Sequence, residues 1–366
     1  MKLFVLDDPL FDAHRLDTRG AGAPTDHADD GRSSEDDTST HVTHPERPER
    51  LRACRRGLER AATRLWERID ARAATADDLC TVHTPEYVED LLERGGKRGF
   101  FDADTYHNER SVDVARRSAG GTLALTETVW RKRGRGLALV RPPGHHARPG
   151  GAMGFCLINQ VALAARHVLG LGARRVAIVD WDVHHGNGTE EIFYEDPDVL
   201  YISVHQDPLY PGSGAATDCG ARDGRGFNVN VPLSGAADDA VYEAAFQQVI
   251  EPVLAAYGPD LLLISAGFDA HARDPLAGMA LGDGAYGAMT RRLLEATGAV
   301  PTVAVLEGGY DLTALEGALA MTVRGLEGAL SAPDGDARGA PRPLEGRHLD
   351  EIDRARRLQK AFWRSL

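Results

Sequence analysis

From about Ser111 onward, short continuous apolar runs alternate with amphipathic stretches of helical period. The pattern predicts helix over 111–131 leading into Leu137–Val140, and helix over 156–169 leading into Val176–Val179. It further predicts helix 187–195 before Val199–Val204, helix 238–256 before Leu261–Ile264, and helix 284–297 before Thr302–Leu306. Uninterrupted apolar runs of strand length between helices describe strands buried on both faces, that is, a parallel α/β sheet. Upstream, Leu3–Leu6 reads as a strand, Arg47 to Ala62 as helix, and Thr84-Pro85 as an N-cap with proline at the first helical position of a helix through Leu92. The polar stretch Asp17 to Thr43 has almost no large apolar residue. It reads as a mobile insertion, or as a loop that orders at a pocket rim. A Pro/Gly/Asp-rich break, Ser331 to Gly346, precedes a last helix over 348–364. No repeat and no second fold signature is visible. The reading is therefore one domain over 1–330, with 331–366 a linker and C-terminal helix packing on it.

Composition narrows the function classes. The 366 residues are 42% hydrophobic and carry a formal net charge of −13. That argues against a nucleic-acid partner, whose binding rests on a basic surface. No apolar run approaches the ~20 residues that span a bilayer, and the opening Met1 to Asp8 is too short in apolar residues for a secretory signal. Cys54, Cys80, Cys156 and Cys219 lie far apart with no C-x-x-C spacing, as expected of reduced, mostly buried thiols in a cytoplasmic protein. Lysine is scarce, 4 against 38 arginines, which fits either GC-rich coding or a salt-rich cytoplasm.

In open parallel sheets, sites form beyond the carboxyl ends of the strands. Leu137–Val140 is followed by Arg141-Pro142-Pro143-Gly144-His145-His146-Ala147, and Val176–Val179 by Asp180-Trp181-Asp182-Val183-His184-His185-Gly186-Asn187-Gly188. Leu261–Ile264 is followed by Ser265-Ala266-Gly267-Phe268-Asp269, and Thr302–Leu306 by Glu307-Gly308-Gly309-Tyr310. Asp182 and His184, two apart on an extended segment, share a face. With a second carboxylate as third ligand, Asp269, they would hold a divalent metal and leave a coordination position open, as catalytic zinc requires. His145 and His146 titrate near neutrality, and Asp180 and Asn187 are candidates to orient them. Tyr310, after two glycines, is a neutral donor for a developing oxyanion.

These motifs, with Gly154-Phe155-Cys156, His44 to Leu51 and Val82 to Tyr87, resemble in order and spacing the zinc-dependent histone deacetylase superfamily, which includes prokaryotic acetylpolyamine amidohydrolases and acetoin-utilisation proteins. The likeness covers roughly residues 40 to 330. It implies a single-domain arginase-like α/β fold around an eight-stranded parallel sheet with helices on both faces. It also implies zinc, or ferrous iron in the cell, held by Asp182, His184 and Asp269, with a metal-bound water attacking an acetyl carbonyl polarised by Tyr310. His146 would be general base and acid, and His145 a second imidazole paired to Asp180. Gly154 and Phe155 would line an acyl-lysine channel, with Tyr210 facing Phe155 and Asp104 at the rim. Structural potassium would lie at Asp180, Asp182, His184, Ser203 and Val204, and more weakly at Phe193, Asp196, Val199 and Phe227.

Asn187, and Glu307 before Gly308-Gly309-Tyr310, resemble the class II and prokaryotic branch. Leu276 stands where polyamine-selective relatives carry an acidic gatekeeper. An apolar residue there leans toward acyl-lysine of a protein or peptide over an acetylated polyamine, although the acidic loop 17–37 could supply that charge instead. A dimetal ureohydrolase of the same fold would need further Asp ligands where His185 and Asn187 stand, and a non-catalytic acyl-lysine module would need broken machinery.

Overall fold

The strands Leu3–Leu6 (β1), Glu67–Ile69 (β2), Arg135–Ala138 (β5), Val176–Asp180 (β6), Val199–Gln206 (β7), Asn228–Leu233 (β8), Leu261–Ala266 (β9) and Thr302–Leu306 (β10) pair in the order β2-β1-β5-β10-β9-β6-β7-β8. Every pairing in this sheet is parallel. The structure, a computed structural model, describes residues 1–16, 44–61, 65–330 and 346–366. The polar stretch 17–43, and with it the expected mobile or rim loop, lies outside the described residues, as does most of the 331–346 break. Gly99–Phe100 (β3) and Tyr106–His107 (β4) form a separate antiparallel pair. Helices are Glu49–Ala61 (α1), Ala76–Leu79 (α2), Pro85–Glu93 (α3), Ser111–Lys132 (α4), Gln160–Gly170 (α5), Asn187–Phe193 (α6), Asp239–Ala245 (α7), Glu251–Tyr257 (α8), Asp283–Ala296 (α9), Leu312–Leu326 (α10) and Arg347–Gln359 (α11).

The central strands β5, β6, β9 and β10 are buried at every position, as continuous apolar runs require when helices cover both faces. Several expected boundaries move, each for a local reason. Helix 156–169 starts later, at Gln160, because Gly154 and Phe155 adopt φ of 55° and 68° and the Asn159 side chain caps the helix by accepting from Ala162 N at 3.0 Å. The expected helix 238–256 is interrupted by a wider π turn at Phe246–Ile250. Pro252, in the first turn of α8, has no N–H to continue the α ladder. Strand β5 begins at Arg135, whose guanidinium donates to Val300 O at 2.5 Å and Ala299 O at 3.2 Å, so a charged residue closes the ladder ahead of the apolar run. The last helix ends at Gln359 rather than 364, and helix 187–195 at Phe193. Two of the four thiols, Cys54 and Cys156, are buried, whereas Cys80 is exposed and Cys219 half-buried. No helix among the described residues is long and apolar enough to cross a membrane.

Candidate active site

Strands β5, β10, β9 and β6 are immediate neighbours, so the four motif-bearing strand ends converge on one place. The ends are tied together by backbone donors on carboxylates. Glu307 Oε2 accepts from Gly144 N at 2.6 Å and His145 N at 3.1 Å, so the end of β10 holds the tandem-histidine turn. Behind the site Glu46 Oε2 accepts from Arg141 Nη2 at 2.6 Å, and Glu46 Oε1 from Arg50 Nη1 at 3.3 Å, all fully buried. Buried charges persist only when compensated in this way. Arg50 also donates to Gly309 O at 2.7 Å and lies 4.9 Å from the centre of the Tyr310 ring. Sequence reading assigned no role to Arg50 or Glu46, although both lie in the His44–Leu51 block; nothing local signals which charges in it turn inward.

Asp182, His184 and Asp269 meet. Their ligand atoms lie within 4.8 Å of one another, with His184 Nδ1 3.2 Å from both Asp182 Oδ1 and Asp269 Oδ2. The outer oxygens are anchored: Asp182 Oδ2 accepts from Gly308 N at 2.7 Å and Asp269 Oδ1 from Val183 N at 2.8 Å. Gly308 permits this approach, since a Cβ there would fall 2.1 Å from Asp269 Oδ2. Burial disfavours charge on His184, yet its bonds to Asp182 and Asp269 hold its pKa up at about 10. Two buried carboxylates thus recruit positive charge to the point between the three ligand atoms. Two carboxylate oxygens and one imidazole nitrogen, each braced from behind, fit a divalent cation such as zinc. His185 turns away from this cluster, to Ser213 Oγ at 2.8 Å and Glu190 Oε2 at 3.1 Å.

The tandem histidines sit 4.0 Å apart, centre to centre, with different partners. His145 Nδ1 lies 3.0 Å from Asp180 Oδ2, and His146 Nδ1 lies 2.8 Å from Asn187 Oδ1. Burial opposes charge on both. For His145 the carboxylates of Asp182 and Asp180 overcome it and raise the pKa to about 10. For His146 burial and the neighbouring His145 and His184 push the pKa well below its usual value. Burial raises Tyr310 well above the ordinary phenol value against the pull of Arg50, so it remains a donor. Asp274, another residue without an assigned role in the sequence, braces that tyrosine: its Oδ2 accepts from Tyr310 N at 2.6 Å, and its Oδ1 from Leu276 N at 3.0 Å.

The rim residues divide between two flanks. Phe155 meets Tyr310 and His44 edge-on, at 5.9 and 4.8 Å. Tyr210 instead meets His146 at 5.2 Å and His184 at 6.3 Å. Gly154 separates them, its absent Cβ leaving 3.0 Å to Tyr210 and 2.5 Å to His146. Asp104 is exposed; its carbonyl lies 3.1 Å from His44 Nε2, and its neighbour Thr105 accepts from Phe155 N at 3.0 Å. Leu276 is half-buried, two residues from Asp274. Among the positions expected for potassium, Asp180 pairs in register with Ser203, next to Val204. Of the second set, Phe193 O accepts from Asp196 N at 3.0 Å and Phe227 O from Tyr201 N at 2.9 Å, with Val199 opening β7.

Similarity to known proteins agrees with this geometry. A family model described as the histone deacetylase domain matches residues 44–326. The chain is 42% identical to histone deacetylase 15 of Arabidopsis thaliana over 332 residues, 88% of this chain and 59% of that protein. It is 41% identical to a probable deacetylase of Archaeoglobus fulgidus over 299 residues, 80% of this chain and 82% of that one. The crystal structure of the HDA15 HD domain superposes with a TM-score of 0.86 at 37% identity, covering 100% of this chain and 96% of the other. The chain belongs to the histone deacetylase family, and the eight-stranded parallel sheet is that family's fold.

Proposed function

We propose that the protein is a metal-dependent amidohydrolase that removes acetyl groups from acyl-lysine of proteins or peptides, releasing acetate. The observation that carries this reading is the convergence, at four adjacent strand ends, of Asp182, His184 and Asp269 with two unlike histidines and a protonated tyrosine. Asp182, His184 and Asp269 would hold zinc, or ferrous iron in the cell, and that metal would supply a Lewis acid for the carbonyl and acidity for water. His146, with Nδ1 committed to Asn187, presents Nε2 as the base that takes the proton from the attacking water and returns it to the leaving amine. His145, backed by Asp180, places positive charge beside it and keeps it neutral in the resting site. Tyr310 donates its phenolic hydrogen to the carbonyl oxygen as charge develops there. Phe155 and Tyr210 enclose the aliphatic stem of the lysine, and Asp104 stands where substrate backbone would pass. Backbone oxygens of Asp180, Asp182, His184 and Val204, with Ser203, would take a structural potassium ion, and Phe193, Asp196, Val199 and Phe227 a second.

Leu276 favours acyl-lysine over acetylated polyamine, because an apolar side chain offers nothing to a second ammonium group. The test pairs elemental analysis with turnover. Purified protein is expected to hold one zinc or iron per chain and to release acetate from acetyl-lysine peptides faster than from acetylspermidine. Faster hydrolysis of acetylspermidine would replace the substrate class, and absence of bound metal would overturn the mechanism.

A further inference from the structure

His185 follows the ligand His184 in the chain, yet its buried ring turns away from the metal cluster and is engaged at both nitrogens. Nε2 donates to Glu190 Oε2 at 3.1 Å, and Nδ1 meets Ser213 Oγ at 2.8 Å. The same carboxylate oxygen accepts from Asn230 Nδ2 at 2.6 Å and Asn228 Nδ2 at 2.7 Å, two side chains that share a face of β8. Burial pushes the Glu190 carboxyl up, but the bond and charge of His185, with the two amides, outweigh it and hold the pKa below its usual value. His185 thus leans on a carboxylate that stays charged. Beyond it the chain is wedged in place. Gly214, at φ of 87°, packs against the rings of His185 and His205, which lie 4.8 Å apart centre to centre. A Cβ there would fall 2.6 Å from His185 Cδ2 and 2.7 Å from His205 Cε1, and His205 Nε2 donates to Gly214 O at 3.0 Å. Ser213 and Gly214 are one anchor of a short span whose other anchor is Asp207, where the N–H donates to Leu233 O at 2.9 Å. Tyr210 stands midway. Among the described residues, the span 208–212 makes one hydrogen bond only, within itself, from Gly212 N to Leu209 O at 2.9 Å. The placing of Tyr210 beside His146 and His184 therefore depends on how its two ends are held.

We propose that His185, braced by Glu190, is a positioning residue for the substrate channel: through Ser213 it fixes the wall that Tyr210 presents beside His146 and His184. The anchoring is a property of the fold, whereas its effect on substrate rests on the amidohydrolase reading above. One short helix serves both parts of the site, since Asn187 at the start of α6 holds the His146 base and Glu190, one turn on, holds the wall beside it. A wall residue touches the lysine stem equally before and during reaction. Loosening it weakens binding and leaves the chemical step largely intact.

The test uses full-length protein carrying Ser213→Ala, a change at an exposed residue outside the metal cluster. KM for acetyl-lysine peptides is expected to rise about tenfold, the worth of one hydrogen bond to a carboxylate-backed imidazole, with kcat within about twofold and bound metal unchanged. Ser213→Thr keeps the hydroxyl and should return KM to within about twofold of wild type. Tyr210→Ala should raise KM as well. Adding Ser213→Ala to it should change KM by less than about twofold, because the anchor then has nothing to place. Backbone amides of 209–215 should exchange hydrogen faster in Ser213→Ala than in wild type. Wild-type KM and exchange in Ser213→Ala, or multiplying effects in the double variant, would overturn the clamp, while active wild-type enzyme would keep the amidohydrolase reading. Loss of metal, or of kcat at constant KM, would put His185 in support of His184 and equally overturn the channel role. Wild-type protein that hydrolyses no acetylated amine would remove the amidohydrolase reading and the channel role with it.

Discussion

His145 and His146 are adjacent in the chain and chemically unlike, because one faces Asp180 and the other an uncharged amide. The same division of labour by environment extends to Tyr310. In the proposed reaction its hydroxyl would act only if its backbone is held, and Asp274 accepts from that backbone, from the loop that also carries Leu276. Tyr310→Phe is expected to lower kcat roughly 100-fold or more while bound metal stays at the wild-type level, since one oxyanion donor is worth that much. Asp274→Asn keeps the size of the side chain and removes one acceptor. It should lower kcat on the order of tenfold with a smaller change in KM, because a displaced Tyr310 misaligns the reacting carbonyl without emptying the channel. Steady-state kinetics beside elemental analysis separates both effects from metal loss; unchanged kcat in Asp274→Asn would make that clamp dispensable.

Elements that bury both faces were the legible ones. Strands β6, β9 and β10 announce themselves as apolar runs, and their trailing Asp, Glu and Tyr residues announce the site. Edge elements carry weaker signals. Strand β8, Asn228-Val229-Asn230-Val231-Pro232-Leu233, alternates polar and apolar residues and contains proline, which marks a sheet edge and not a buried run. The residues that brace the site were also hidden, because Arg50, Glu46 and Asp274 act through contacts with residues 36 to 259 positions away. Helix α11 lies along β8, with Ile352 and Ala355 buried; Gln359 Nε2 donates to Asn228 O at 3.0 Å, and Trp363 beyond it meets Phe227 edge-on at 5.7 Å. Covering an edge strand in this way blocks pairing with other chains. Trp363→Ala is expected to cost about 3 kcal/mol in urea unfolding, and removal of residues 346–366 to lower Tm and promote aggregation seen by light scattering. A truncated chain as stable and monodisperse as the full one would show that β8 needs no cover.

For the whole molecule, histidines folded into the core as neutral groups make stability fall on the acid side of neutrality. His83 joins two segments: its Nδ1 donates to Arg148 O at 2.9 Å, and its Nε2 accepts from Asn159 N at 3.1 Å. Both nitrogens are committed in one tautomer, and protonating Nε2 would set an N–H against an N–H. Burial therefore lowers the His83 pKa from 6.5 to about 4, only partly opposed by its backbone acceptors. In the unfolded chain His83 takes up a proton near 6.5, whereas the folded chain resists until about 4. The unfolded state thus binds more protons across that window, and stability falls as pH drops through it. A depression of this size corresponds to about 3 kcal/mol, present above the upper bound and lost below the lower one. His14, buried against Glu46 and Ser111 and lowered to about 3 chiefly by burial, extends the loss to lower pH. His83→Gln preserves a donor and an acceptor but cannot titrate. Urea unfolding at pH values from 7 down to 4 should give the wild type a steeper loss than His83→Gln, by about 3 kcal/mol over the window. Parallel curves for the two proteins would mean that His83 is already charged in the fold, contrary to its hydrogen bonds.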